Sequence, residues 1–215
     1  MRGIIFVGGE GPGPAALQKI ARAADLLVAA DSGLIAAEEA GLRPDLVIGD
    51  MDSLDDPRRL EKYAPDSVRR FPADKDFTDT ELALALLREK GCDEAWIAGG
   101  GGGRMDHLFA IRALFEREDC PDRWFPGDEE IRCIKEGSSV ASALPMGSLV
   151  SVFPLGRGPW EADSSGLKWP LNGLGWNEGS FGVSNVAAGG AMEIRSIRGR
   201  FMALIPVIFS EDGQE

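Results

Sequence analysis

Histidine and cysteine are scarce in this 215-residue sequence, and their scarcity excludes several kinds of site. His107 is the single histidine, so multi-histidine metal centres are excluded and a Ser-His-Asp triad could form only through that residue. Cys92, Cys120 and Cys133 are odd in number, widely spaced and without a Cys-x-x-Cys motif. They suggest neither a disulfide framework nor a zinc site, and a reducing cytoplasm is the expected location.

Long apolar runs and an excess of basic residues are also missing. Gly, Pro or charged residues interrupt the apolar runs, so we expect no transmembrane span and no membrane partner. The first eight residues are too short for a signal peptide and instead predict a strand. The net charge of −12, from 35 acidic and 23 basic residues, argues against nucleic acid as a partner, because phosphate backbones are bound by clustered Lys and Arg.

The first half of the chain contains short apolar runs that alternate with helical patterns. Strands are expected at 3–7, 26–30, 46–48 and 95–98, and helices at 14–24, 35–40, 79–90 and 107–118. This rhythm predicts an α/β domain over residues 1–122, with a mostly parallel sheet covered on both faces.

The second half contains short strand candidates separated by Gly, Pro, Ser and Asn. They are expected at 131–135, 148–154, 167–171, 191–197 and 201–209. No helix of three turns is evident, so residues 123–215 predict an all-β domain, a sandwich or a barrel. The tail from residue 210 is expected to be disordered.

Two carboxylates follow the strand expected at 46–48. Asp50 and Asp52 would project from its carboxyl end, where open α/β sheets bind ligands, and in an extended backbone both would point the same way. Two such oxygen ligands suit Mg²⁺, which usually arrives with substrate phosphates. The alternative is that Ser53 or Asp55 caps a helix beginning near Pro57.

Two more acidic segments lie at comparable positions. Asp31 follows the strand at 26–30 and either meets a ligand or caps the next turn. Thr78 and Glu81 match a capping box, so Thr78 by itself favours a structural role. Lys75 and its neighbours Asp76 and Asp79 surround the same helix start, where exposed amides favour a phosphate and a carboxylate could hold its metal.

Five consecutive glycines, 99–103, follow the strand at 95–98. Such a run is entropically costly and suggests close approach of the backbone to a ligand. Arg104 can grip phosphate with two hydrogen bonds. Asp106 could bind metal or cap the helix, and His107 could act as a base or pack at the helix start, with packing favoured.

Four strand ends of one predicted sheet thus carry an acidic cluster with one Lys and one Arg. Its members are Asp31, Asp50, Asp52, Asp76, Asp79, Arg104 and Asp106. This combination suits metal-assisted phosphoryl or diphosphoryl transfer, in which the protein mainly positions groups and neutralises charge.

The order of these motifs resembles the thiamine pyrophosphokinase (thiamine diphosphokinase) family. The matching segments are 30–33, 44–53, 75–79 and 102–107 in the first half, and 150–155, 166–171 and 182–185 in the second. The resemblance implies an α/β domain that binds ATP and Mg²⁺ and a β-sandwich that helps to bind thiamine. It also implies a homodimer with active sites between subunits, which transfers the diphosphoryl group of ATP to the thiamine hydroxyl and releases AMP.

The resemblance also implies roles for individual residues. The expected catalytic residues are Asp50, Asp52, Asp76, Asp79 and Arg104, with Asp50, Asp52 and Asp79 as metal ligands. The expected nucleotide contacts are Asp31, Ser53, Lys75, Thr78, Arg104, Asp106 and His107. The expected thiamine contacts are Asp31, Trp169, Ser184 and Asn185.

The sequence departs from the family pattern at three places. Ser32-Gly33 stands where Gly-Gly is usual, Ile111 where many members have Asn, and small residues occupy 186–188 where some carry an aromatic. Two alternatives stay open at this point: a related diphosphokinase acting on a hydroxymethylpterin-like alcohol, and a non-catalytic nucleotide-sensing module.

Overall fold

The computed structural model describes residues 1–72 and 74–208. The described residues form two compact units, the first comprising Met1–Leu114 and Arg123–Gly127, the second Phe115–Asp122 and residues 128–208. The boundary expected after residue 122 lies in the stretch where the chain passes from one unit to the other and back. No helix in the described part of the chain is both long and apolar enough to cross a membrane.

The first unit is an α/β unit built on one sheet. Its elements are β1 (Arg2–Phe6), α1 (Pro14–Ala21), β2 (Leu26–Ala30), α2 (Gly33–Glu39), β3 (Leu46–Gly49), β4 (Val68–Arg70), α3 (Asp79–Glu89), β5 (Glu94–Ala98), α4 (Met105–Leu114) and β6 (Arg123–Phe125). The strand order is β6-β5-β1-β2-β3-β4, and each neighbouring pair is parallel. The expected mostly parallel sheet is confirmed.

Apolar strands and a close backbone contact at a glycine explain this arrangement. Ile4 and Ile5 of β1 and Val28 of β2 are fully buried, as expected for parallel strands covered on both faces. A side chain on Gly33 would meet the carbonyl oxygen of Phe6, since a Cβ there would lie 2.0 Å from it. Only glycine therefore lets α2 begin directly beside the end of β1.

The second unit is an antiparallel β-sandwich. Its strands are β7 (Glu129–Ile134), β8 (Ser139–Leu144), β9 (Leu149–Leu155), β10 (Glu161–Ser165), β11 (Gly182–Val186), β12 (Gly190–Arg198) and β13 (Arg200–Pro206). One sheet has the order β11-β9-β13-β7 and the other the order β10-β12-β8. Buried side chains of both sheets, such as Val152 and Phe201 from one and Ile194 from the other, share a core. The expected all-β sandwich is confirmed.

Several strands differ from the sequence expectations. The sequence did not indicate β4, β6, β8, β10 or β11, which are short or largely polar. The strand expected at 167–171 is wrong, because Leu167 makes only an isolated bridge to Ala187 and Pro170 has no amide to donate. Leu167 and Leu171 are buried there as loop residues, so their apolar pattern reflects burial and not a strand. The end of the strand expected at 201–209 and the tail from residue 210 lie outside the described residues.

Candidate active site

Three carboxylates meet at one edge of the parallel sheet. Asp31 follows β2, Asp50 follows β3 and Asp79 is the first residue of α3. One oxygen from each lies within 4.8 Å of the others, and all three residues are half-buried. The predicted convergence of acidic residues is therefore correct for this trio, which we call the three-carboxylate cluster, although Asp79 comes from a helix start and not from a strand end.

Unusual backbone conformations hold these residues in place. Asp31 has a φ of 48° and Met51 a φ of 68°, both in the left-handed region that non-glycine residues rarely adopt. Gly49 has a φ of 144°, and a Cβ there would lie 3.3 Å from the Asp79 carboxylate. Conformations of this kind persist only where the surrounding structure enforces them, and they concentrate at functional sites.

Asp52 does not join the three-carboxylate cluster. The extended backbone assumed for Asp50 and Asp52 is wrong, because Met51 between them is left-handed. The exposed Asp52 carboxylate instead accepts a hydrogen bond from Ser53 Oγ at 2.9 Å, and its amide donates to Asp50 Oδ1 at 3.2 Å. Neither expected cap forms at the following 3-10 helix (Pro57–Lys62), where Asp56 accepts from the Arg58 amide.

Lys75 provides a positive charge beside the cluster. Its Nζ lies 2.8 Å from Asp79 Oδ1 and 4.0 Å from Asp50 Oδ2, and its side chain is 14% exposed. One ammonium group thus lies beside two of the three carboxylates of the cluster. Asp76, the next residue, is exposed and does not line the cavity described below.

The Asp31 carboxylate is the least compensated of the three. Burial raises the pKa of Asp31, and the charges of Asp79 and Asp50 act in the same direction against hydrogen bonds from Ser53 and the Ser32 amide. Its Oδ1 is buried and has no hydrogen-bond partner among the described residues. A hard cation with oxygen ligands fits such a carboxylate set.

A cavity of about 580 Å³ opens beside the three-carboxylate cluster. Its lining comprises Val7, Gly8, Gly9, Ala30, Asp31, Ser32, Asp50, Ser53, Lys75, Phe77, Thr78, Asp79, Thr80, Gly100, Gly101, Gly102, Gly103, Arg104, His107, Ala110, Ile111 and Leu114. The apolar wall of this cavity, which includes Phe77 and Leu114, was not predicted from the sequence. The exposure of Phe77, at 56%, only becomes visible in the fold.

Thr78 both caps a helix and lines the cavity. It is the N-cap of α3, where its Oγ1 accepts from the Glu81 amide at 3.2 Å and Glu81 Oε2 accepts from the Thr78 amide at 2.8 Å. The predicted capping box is confirmed. Because Thr78 also lines the cavity, its structural and ligand-contact roles are compatible.

Arg104 and His107 reach the cavity from the start of α4. The Arg104 guanidinium pairs with Asp106 at 2.5 Å, and both side chains are more than half exposed, at 68% and 63%. This pair lowers the pKa of Asp106 to about 2, chiefly through the hydrogen bond from Arg104. The packing interpretation of His107 is wrong, because His107 is exposed and lines the cavity.

Most of the glycine run faces protein atoms. A Cβ on Gly99 would lie 2.2 Å from the Val7 carbonyl oxygen, and one on Gly101 would lie 2.0 Å from that of Pro126. Gly101 also exchanges backbone hydrogen bonds with Glu10, so the run is paired with a second glycine-rich turn, residues 8–13. Tight packing between chain segments therefore accounts for much of the run that the sequence analysis ascribed to ligand approach.

The expected thiamine contacts other than Asp31 lie in the second unit. Asn185 is buried and fixes the Trp169 backbone, donating to its carbonyl at 2.6 Å and accepting from its amide at 3.2 Å. Ser184 has a left-handed φ of 59°, and the Trp169 ring is 53% exposed. The hydrogen bonds of Asn185 give it a structural role, and ligand contact by Trp169, Ser184 and Asn185 stays a prediction.

Comparison with known proteins places these features in a family context. A family model described as the catalytic domain of thiamin pyrophosphokinase matches residues 17–120. A thiamine pyrophosphokinase from Bacillus subtilis (strain 168) is 31% identical over 152 residues, which cover 68% of this chain and 71% of that protein.

Solved structures show the same architecture. A thiamine pyrophosphokinase from Bacillus subtilis superimposes with a TM-score of 0.78 at 25% identity, over 97% of this chain and 100% of that one. One from Geobacillus thermodenitrificans gives a TM-score of 0.74 at 25% identity, over 98% and 99% of the two chains. A thiamin pyrophosphokinase from Candida albicans, at 15% identity and a TM-score of 0.71 over 96% and 89%, shares the fold.

Proposed function

The chain belongs to the thiamine pyrophosphokinase family, and from that premise we propose that it transfers the diphosphoryl group of ATP to the hydroxyl of thiamine, giving thiamine diphosphate and AMP. The observation that carries this proposal is the three-carboxylate cluster beside a cavity that also presents Lys75 and Arg104. The cavity volume, about 580 Å³, lies within the range of about 300–1,000 Å³ usual for small-molecule sites.

The charge of this site requires a cation if a polyphosphate is to bind. Asp31, Asp50 and Asp79 outnumber the single ammonium of Lys75, so an unaccompanied anion would be repelled. We propose that these three carboxylates hold Mg²⁺, with Asp52 as a further candidate at the rim. The buried, unpartnered Asp31 Oδ1 supports the fit. When bound, the metal would neutralise charge on the diphosphoryl oxygens.

The remaining site residues would position the nucleotide. Lys75 is held between Asp79 and Asp50, from where its ammonium can contact phosphate oxygens at the start of α3. The capping box of Thr78 fixes that first turn, and the N-terminal end of a helix favours anions. Arg104 is exposed, so its guanidinium can exchange Asp106 for two phosphate oxygens at little cost.

Binding of thiamine and assembly complete the proposal. We place Trp169 and Ser184 in the thiamine pocket, with Asn185 supporting the Trp169 loop. A homodimer is expected, and sedimentation velocity tests it directly. A purely monomeric protein with full activity would contradict sites formed between subunits.

The decisive experiment is a product analysis. The protein is incubated with Mg²⁺, ATP and thiamine, and nucleotides and thiamine esters are separated by chromatography. AMP and thiamine diphosphate should appear in equal amounts. ADP with thiamine monophosphate would identify a simple kinase, turnover of a hydroxymethylpterin alone would identify the related diphosphokinase, and stabilisation by nucleotide without turnover would identify a sensing module.

A further inference from the structure

Two cysteines that are distant in the sequence are adjacent in the second unit. Cys133 on β7 and Cys120 in the preceding segment have their Sγ atoms 3.3 Å apart, 13 positions along the chain. The Cys133 amide donates to the Asp122 carbonyl at 2.9 Å, which fixes the two segments side by side. The cysteines are widely spaced in the sequence, so this thiol pair was not expected.

A guanidinium group contacts the pair. Arg200 Nη1 lies 3.5 Å from Cys120 Sγ, and the same guanidinium donates to the carbonyls of Glu116 and Arg117 at 2.8 Å and 2.5 Å. Lys135, two residues after Cys133, pairs with Asp122 at 2.8 Å. The guanidinium is thus anchored by backbone oxygens and faces the sulfur with its charge.

The electrostatics favour one thiolate and one thiol. The hydrogen bond from Cys133, with help from Arg200 and Lys135, lowers the pKa of Cys120 to about 7 against the opposing effects of burial and Asp122. The pKa of Cys133 is raised, because its thiol is the proton donor of the pair. Of the two sulfurs, Cys120 is therefore the favoured site of the nucleophilic thiolate.

We propose that Cys120 and Cys133 are a redox-active pair that forms a reversible disulfide when the protein meets hydrogen peroxide. The Cys120 thiolate attacks one peroxide oxygen, the O–O bond breaks and hydroxide leaves, which gives a sulfenic acid. Cys133 sulfur then attacks Cys120 Sγ, the S–O bond breaks and hydroxide leaves with the Cys133 proton as water. In total, two thiols and one peroxide give one disulfide and two waters.

The geometry favours the second step. The sulfurs need to close from 3.3 Å to the bond length of about 2.05 Å, a movement of the order of 1 Å. Cys120 is only 1% exposed while Cys133 is partly exposed, so a small neutral oxidant suits the site better than a bulky one. A thiol reductant returns both sulfurs to thiols by exchange.

The test is peptide mapping of the full-length protein after peroxide treatment. Trypsin should place the two cysteines on separate peptides, 118–123 and 133–135. Each peptide follows an arginine and ends at an arginine or a lysine, where trypsin cleaves. We expect these two peptides to become cross-linked, with loss of two hydrogen masses, and to separate again with dithiothreitol. Cys92, buried in the first unit, is the internal control and should remain available to alkylation after unfolding.

Two variants sharpen the result. Cys133→Ser removes the resolving thiol, so dimedone should trap Cys120 as sulfenic acid, and Arg200→Gln should slow cross-linking several-fold at pH 7. Cys92→Ser should cross-link at the wild-type rate. Free thiols at both positions after peroxide treatment, or cross-linking no faster at this pair than oxidation at Cys92, would overturn the proposal.

Discussion

Replacing Asp31 with Asn should make the metal-free protein more stable while removing its response to Mg²⁺. Asp31 belongs to the three-carboxylate cluster, and its buried Oδ1 has no partner among the described residues. Asn keeps the shape and removes the charge. It also tolerates the left-handed φ of 48° that Asp31 adopts, so the substitution adds no backbone strain.

The size of the effect follows from the distances in the cluster. Two unit charges 4.8 Å apart repel by about 3.5 kcal/mol at an effective dielectric constant of 20, and by about 1 kcal/mol in bulk water. Asn removes two of the three repulsions, but it also removes attraction to Lys75, and the site is partly open to solvent. A net gain of about 1–2 kcal/mol is expected, which corresponds to a rise of about 2–8 °C in melting temperature.

The pH dependence gives an independent check on the cause. Because the pKa of Asp31 is raised, the folded protein binds the proton more tightly than the unfolded chain does. The charge therefore costs stability at neutral pH, and this cost disappears as the pH falls through the folded pKa toward the unfolded value of about 3.9. The stability advantage of the Asn variant should shrink over the same interval.

Calorimetry with and without Mg²⁺ measures both effects. The melting temperature of the wild type should rise when Mg²⁺ is added. Asp31→Asn should have a higher melting temperature than the wild type without Mg²⁺, and Mg²⁺ should change it little. Asp76→Asn is the matched control, since it removes the same charge from an exposed carboxylate nearby. An Asp31→Asn protein that melts lower than wild type, or that gains as much from Mg²⁺, would refute the assignment.

Three other substitutions test the site. Asp50→Asn should lower turnover by about 10²–10³-fold with an unchanged circular dichroism spectrum, and Asp52→Asn, outside the cluster, should lose less; equal losses in steady-state assays would contradict this. Thr78→Ala should cost about 0.5–2 kcal/mol in denaturant unfolding while Thr78→Ser restores it, because the hydroxyl caps α3, and an unchanged midpoint would disprove the cap. Arg104→Lys should raise the KM for ATP with little change in melting, because its pair with Asp106 is exposed; a large fall in melting temperature would indicate a structural role.

The sequence predicted the parts of the fold that are marked by buried apolar runs or by a helix cap. The strands β2 and β5 and the helix α3 were anticipated because runs such as 26–30 are buried and the Thr78 capping box fixes a helix start. By contrast, β10, with the sequence Glu-Ala-Asp-Ser-Ser, buries little beyond Ala162 and pairs in antiparallel register with β12. Such a strand leaves no hydrophobic signal, so only the fold reveals it.

The site shows the same division. Asp31 and Asp50 converge because parallel strands end at one edge, and the Thr78 capping box marks the helix start that carries Asp79, so the sequence could indicate all three. The exclusion of Asp52 depends on a single left-handed residue, Met51. Methionine rarely adopts that conformation, so no pattern in the sequence predicts a left-handed residue there.

The positions of the three carboxylates have a consequence for the synthesis of the protein. They come from residues 31, 50 and 79, and they meet only after β1, β2 and β3 have paired in parallel. A growing chain on the ribosome therefore has no assembled cluster until Asp79 has emerged, and parallel pairing between distant segments is slow to form. Mg²⁺ can therefore stabilise the complete domain but not its shorter fragments. A chain truncated before α3 is expected to show no stabilisation by Mg²⁺.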